Sequence, residues 1–125
     1  MDLREHRILI VEDEIVIAMD LVSIIRDAGA EVVGPAMSVP EALRLIESHE
    51  LTAAILDVNL GKDQSLPVAQ RLNASGIPFV YYTGDGGKLS QNPWPQAPIF
   101  KKPAAPEKLV AAFAAMAKRR SFCAS

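Results

Sequence analysis

The stretch RILIVEDEIVIAMDLVSIIRDAG, Arg7 to Gly29, decides the fold. Its first five residues form a short apolar run of the kind expected of a strand buried on both faces, and the acids Glu12, Asp13 and Glu14 end it. From Glu14 the period changes. Ile17, Leu21, Ile24, Ile25 and Ala28 share one helical face, Asp20, Ser23 and Asp27 share another, and Gly29 supplies the stop.

The same unit recurs along the chain. EVVG, from Glu31, reads as a short second strand, and Ser38 with Glu41 three residues later forms a capping box. The helix it opens carries Ala42, Leu43, Leu45 and Ile46 and stops near His49. TAAILD is strand three, ending on Asp57. After the polar loop NLGKDQS, the residues Val68, Ala69 and Leu72 mark a third helix, closed by Gly76. PFVYYT is strand four, with Pro78 at its first residue, where no ladder donor is needed. GDGGKLSQNPWPQAP is glycine-rich and then proline-rich, so the helix expected there is short, distorted or missing. IFK is strand five. Pro106 and Glu107 suit a helix start, and Leu109, Val110, Phe113, Met116 and Ala117 supply the buried face of the last helix.

Five strands alternating with helices imply an α/β fold, a doubly wound five-stranded parallel sheet covered on both faces by right-handed crossovers. In such a sheet the site forms outside the carboxyl ends of the strands, and for the flavodoxin-like strand order 2-1-3-4-5 the crevice lies between strands one and three.

Composition sets the outer bounds. A chain of 125 residues, 50% hydrophobic and 22% charged, fits one domain with a single core. The single cysteine, Cys123, allows no internal disulfide and suits a reducing compartment. No apolar run has membrane-spanning length and no signal peptide opens the chain, so a cytoplasmic protein without membrane contact is expected. The formal charge of −2 gives no reason to bind nucleic acid, and Lys118 to Arg120 read as cations at a helix C-terminus.

The strand ends carry the chemistry: Glu12 and Asp13 after strand one, Asp57 after strand three, Thr83 after strand four and Lys102 after strand five. Each alone has an ordinary reading, as an acid favouring a helix N-terminus, a capping acid, a β-former or a solvated lysine. Together they deliver three carboxylates to one crevice, where they repel one another unless a cation neutralises them. A hard, oxygen-seeking ion such as Mg²⁺ does so and shares its site with phosphoryl groups, whose oxygens a lysine and a threonine would bind. His6 and His49 precede a strand and end a helix, so neither suits acyl transfer or zinc.

These residues resemble the receiver domain of two-component response regulators. ILIVEDE resembles its first strand and acid pair, AILDVNL its phospho-accepting aspartate, YYTG its switch threonine and FKKP its lysine-proline. The resemblance covers Arg7 to Lys118, which leaves residues 1–6 as an N-terminal extension and 119–125 as a tail. It implies that Asp57 accepts a phosphoryl group from a sensor histidine kinase. Asp13 would ligate Mg²⁺ directly, Glu12 through water, and Asn59 through its backbone carbonyl. Lys102 would pair with the phosphoryl group, Thr83 would move inward to bond it, and Gly84 would keep the approach open. The peptide bond before Pro103 is commonly cis in the family, which helps aim the lysine.

One departure is informative. Ile99 stands three residues before the lysine, where most receivers carry Tyr or Phe. PFVYYTGDG instead resembles the PFxFATG pattern of the FATGUY receivers, which moves the aromatic to strand four, here Tyr81, with Tyr82 replacing that pattern's alanine. The chain looks like the alphaproteobacterial single-domain receivers paired with HWE-type kinases. Asn59 and Asp85 are the positions expected to tune the lifetime of the phosphorylated state, Asp85 by either repelling the phosphoryl group or orienting a hydrolytic water. Output would pass to an unidentified downstream protein or phosphotransfer protein, or the chain would serve as a phosphate sink, with Trp94 as either an exposed anchor or a residue packed over its own loop. A receiver fragment of a larger regulator and a pseudo-receiver that only binds are the alternatives.

Overall fold

The computed structural model describes residues 3–84 and 93–124, the side chains of 117–124 excepted. Its elements run β1 (Arg7–Val11), α1 (Ile15–Asp27), β2 (Glu31–Ala36), α2 (Val39–Ser48), β3 (Ala53–Leu56), β4 (Asn59–Leu60), β5 (Asp63–Gln64), α3 (Leu66–Ala74), β6 (Phe79–Thr83), β7 (Ile99–Lys101) and α4 (Pro106–Ala124). Five parallel strands form one sheet in the order β2-β1-β3-β6-β7, the expected 2-1-3-4-5 order once the small β4–β5 hairpin is set aside.

The alternation of side chains along each strand builds two cores. Leu9, Val11, Ala54, Leu56, Phe79 and Tyr81 pack with α2 and α3 through Ala42, Ile46, Val68 and Leu72. Ile8, Ile10, Ala53, Ile55, Val80 and Tyr82 pack on the opposite face with α1 and α4, through Leu21, Ile25, Leu109 and Phe113. The adjacent tyrosines of β6 therefore enter different cores.

Several local expectations are corrected. The loop after Asp57 is not wholly irregular, because Asn59–Leu60 pairs antiparallel with Asp63–Gln64. In α1 the buried residues are Ala18, Leu21, Val22 and Ile25, while Ile17 and Ala28 are only partly covered. The Ser38 cap forms, its Oγ accepting from the Glu41 N–H at 3.3 Å, but the Glu41 carboxylate reaches back one residue further than a capping box requires and accepts from the Met37 N–H at 2.8 Å. Pro78 lies just ahead of β6 rather than in it, its carbonyl accepting from the Ala54 N–H. The helix expected between the fourth and fifth sheet strands falls mostly on residues 85–92, outside the described residues, and 93–98 contain no helix.

β2 continues past Gly34 to Ala36 through a cis Gly34–Pro35 peptide and an irregularity in its pairing with β1. Gly34 has φ +97°, and a Cβ placed there would lie 2.7 Å from the Ala36 nitrogen and 2.9 Å from the Ile10 oxygen. Both are backbone atoms. Gly34→Ala should therefore cost at least about 2 kcal/mol, read as a lower midpoint in urea unfolding at unchanged slope.

His6 is buried beyond the opposite end of β1. Its Nε2 lies 2.7 Å from the Phe113 carbonyl, which can only accept, so this nitrogen carries the proton, and Nδ1 meets the Thr52 hydroxyl at 2.5 Å. The segment before β1 is thereby tied to the residue preceding β3 and to α4, and Leu3 is buried in the core on that side.

Candidate active site

Three of the residues singled out at strand ends stay in register with a neighbouring strand through their own N–H groups. Glu12 donates its N–H to the Ala36 carbonyl at 2.9 Å, Asp57 to Val11 at 3.0 Å, and Lys102 to Thr83 at 3.1 Å. The ladder thus continues one residue beyond the strands and fixes where these side chains begin. The β2 irregularity at Gly34 brings the Ala36 carbonyl to Glu12.

Glu12, Asp13 and Asp57 can each offer an oxygen such that these atoms all lie within 4.8 Å of one another. Lys102 joins them: its Nζ is 2.6 Å from Glu12 Oε1 and 2.9 Å from Asp57 Oδ2. The other Glu12 oxygen accepts from the Glu14 N–H at 3.1 Å, and Asp57 Oδ1 lies 3.5 Å from the Asn59 nitrogen. Glu12 is only 1% exposed, and burial pushes its carboxyl up to about 7. Lys102 and the Glu14 N–H oppose that rise and the Asp57 charge adds to it. For Lys102, burial alone would lower the pKa, but its hydrogen bonds to Glu12 and Asp57 outweigh burial and the net shift is upward.

Three converging carboxylates with one ammonium leave an excess of negative charge in a largely buried crevice. An all-oxygen donor set of this kind fits a hard divalent cation such as Mg²⁺. Among the described residues, this is the one cluster of three or more acids, histidines or cysteines with such spacing.

Thr83 ends β6 and is buried. Among the described residues, a Cβ added at Gly84 would meet nothing within 4 Å. Asp85 lies outside the described residues, as do the side chains of Lys118 to Arg120 and Cys123. The Lys102–Pro103 peptide is cis. Ile99 is half exposed on the edge strand β7.

Tyr81 is fully buried, and its hydroxyl donates to the Pro95 carbonyl at 2.6 Å. Burial pushes that phenol up to about 12. Trp94 packs edge-on against Tyr81 of β6 with ring centroids 6.1 Å apart and is only 9% exposed, so it belongs to the core on the α2 and α3 side and fits neither the exposed anchor nor packing confined to its own loop. Tyr81→Phe should lower stability by about 1 kcal/mol in urea unfolding through loss of the Pro95 hydrogen bond.

The acids and the lysine expected from the sequence meet in one cluster, but the sequence reading missed the closeness of Tyr82, whose ring centroid lies 5.8 Å from Lys102 Nζ. The available signal was a bulky aromatic in place of an alanine.

The model of the response regulator receiver domain family matches residues 8–114, and the chain belongs to that family. SdrG from Sphingomonas melonis, a solution structure, is 39% identical with a TM-score of 0.76, the match covering 89% of this chain and 95% of SdrG. The response regulator PhyR from Brucella abortus is 28% identical with a TM-score of 0.78, over 95% of this chain and 50% of PhyR. The transcriptional regulatory protein PdtaR of Mycobacterium tuberculosis is 37% identical over 79 residues, 62% of this chain and 38% of PdtaR. The chain thus spans well under half the length of this curated relative. No helix among the described residues is long and apolar enough to cross a membrane.

Proposed function

We propose that this receiver, spanning Arg7 to Lys118, takes a phosphoryl group from a sensor histidine kinase onto Asp57 in a Mg²⁺-dependent reaction. The observation that carries the reading is Lys102 Nζ set 2.9 Å from Asp57 Oδ2 within the cluster of acids. Mg²⁺ held by Asp13, Asp57 and the Asn59 carbonyl, with Glu12 acting through water, would neutralise charge on the acids and on the phosphoryl oxygens. An Asp57 oxygen attacks phosphorus as the phosphorus–nitrogen bond of the donor phosphohistidine breaks, and the imidazole leaves with the bonding pair. Lys102 faces the phosphoryl oxygens as their negative charge shifts, and the Thr83 hydroxyl bonds one of them in the product. Hydrolysis reverses the acceptor: water attacks phosphorus, the Asp57 carboxylate departs and inorganic phosphate forms.

The strand-four aromatic Tyr81 and the non-aromatic Ile99 support assignment to the FATGUY receivers. Output would be a phosphorylation-dependent contact with another protein or onward phosphotransfer. Radiolabel passed from a phosphohistidine-bearing kinase tests this reading: label should enter the protein with Mg²⁺ and fail to enter with EDTA, and equal labelling under both conditions would overturn it.

A further inference from the structure

Lys102 faces a reach problem. It follows β7, whereas Asp57 follows β3, and β6 lies between them. With neighbouring strands roughly 4.8 Å apart, the side chain must cross the end of β6 to meet the acids. It does cross, to Asp57 Oδ2 and onward to Glu12 Oε1 on the far side. A long, flexible side chain in that position loses rotamer freedom, and the two acids hold only its tip.

Tyr82 lies under the crossing. Its ring centroid is 5.8 Å from Lys102 Nζ, within the range at which a ring face attracts an ammonium. Its Oη accepts from the Ala104 N–H at 3.3 Å, which ties the ring to the turn that follows Lys102 and Pro103. The ring itself is buried in the core formed with α1 and α4, and its β7 pairing partner is Phe100, two residues before the lysine. Tyr82 therefore sets its ring near the ammonium tip of Lys102 and its hydroxyl on the backbone two residues after it. An alanine there could make neither contact.

We infer that Tyr82 is a positioning residue: its ring is the platform on which Lys102 crosses to Asp57, and its hydroxyl fixes the turn that launches the lysine. The inference rests on the reading of Lys102 as the group that faces the incoming phosphoryl oxygens. A held ammonium is already where transition-state charge develops, so the platform acts on the maximal rate rather than on donor binding.

The test compares wild type, Tyr82→Leu, Tyr82→Phe and Val80→Ala, the last a buried neighbour in the same core that makes none of these contacts. Two readouts are taken: the Lys102 side-chain methylene shifts by NMR, and phosphorylation by acetyl phosphate over a concentration series in Mg²⁺. In wild type the ring should displace the methylene protons upfield. Tyr82→Leu should lose that displacement and lower the maximal rate about tenfold, with the half-saturating acetyl phosphate concentration unchanged. Tyr82→Phe should keep the displacement and stay within about threefold of the wild-type rate, since it removes a single neutral hydrogen bond. Val80→Ala should lose stability without moving either readout.

Wild-type methylene shifts that Tyr82→Leu leaves in place would overturn the platform, as would a Tyr82→Leu rate equal to wild type or a Tyr82→Phe rate as low as that of Tyr82→Leu. If wild type itself takes up no phosphoryl group, the proposed phosphoryl transfer fails, and the methylene shifts alone decide whether the ring holds the lysine.

Discussion

Asp57→Asn should reduce phosphoryl uptake to the background of the assay, with kinase or with acetyl phosphate as donor. The amide retains the shape of the side chain but has no anionic oxygen to attack phosphorus. The neighbouring acids are poor substitutes. One Glu12 oxygen is 2.6 Å from Lys102 Nζ and the other accepts the Glu14 N–H, so both are engaged, and Asp13 starts from the β1 side of the crevice rather than from β3. Intact-mass measurement of wild type and variant after identical incubation checks this. An adduct persisting in Asp57→Asn at the wild-type level would place the acceptor elsewhere.

Lys102→Ala carries the second large effect, and it shows in two measurements of opposite character. The rate of phosphoryl uptake should fall about 100-fold, the scale on which losing one preorganised charge partner slows a reaction. Stability in metal-free buffer should fall by about 2 kcal/mol, because a nearly buried Glu12 and its neighbour Asp57 lose their ammonium. That loss is bounded by protonation: Glu12 is already raised to about 7 by burial, and without the lysine it can discharge by taking up a proton. Millimolar Mg²⁺ should recover much of the lost stability, since a cation bound only by the folded acids stabilises by mass action. Chemical denaturation with and without Mg²⁺ measures both arms. A variant as stable as wild type in metal-free buffer would mean that the 2.6 and 2.9 Å contacts do not contribute to folding.

The sheet was legible in the sequence because parallel strands buried on both faces read as apolar runs that stop abruptly at polar residues. That rule sent attention to Glu12, Asp57, Thr83 and Lys102, which the fold brings to one rim through ladder bonds that continue past the strands. Its failures have physical causes. The Asn59–Leu60 and Asp63–Gln64 strands are two residues each, too short to show any period. EVVG reads as a strand ending at Gly34, yet β2 carries on through Pro35 to deliver the Ala36 carbonyl to Glu12. In α1, Ile15, Val16 and Met19 are apolar and at least half exposed, so hydrophobic periodicity cannot separate its buried face sharply, and Ala18 and Val22 were overlooked. Trp94 and Tyr82 depend on contacts between distant segments, Trp94 with Tyr81 and Tyr82 with the turn after Lys102. No local pattern encodes such contacts.

Whether the crevice is a working phosphoryl acceptor is read most directly from the intact mass of the wild-type protein after incubation with acetyl phosphate. With Mg²⁺ one phosphoryl group per chain is expected, labile to hydroxylamine as an acyl phosphate must be, absent with EDTA and absent from Asp57→Asn. No adduct at any Mg²⁺ concentration, in a protein shown to be folded and repeated with phosphohistidine kinases as donors, would contradict that expectation and leave the assembled acids and lysine as a binding site without transfer.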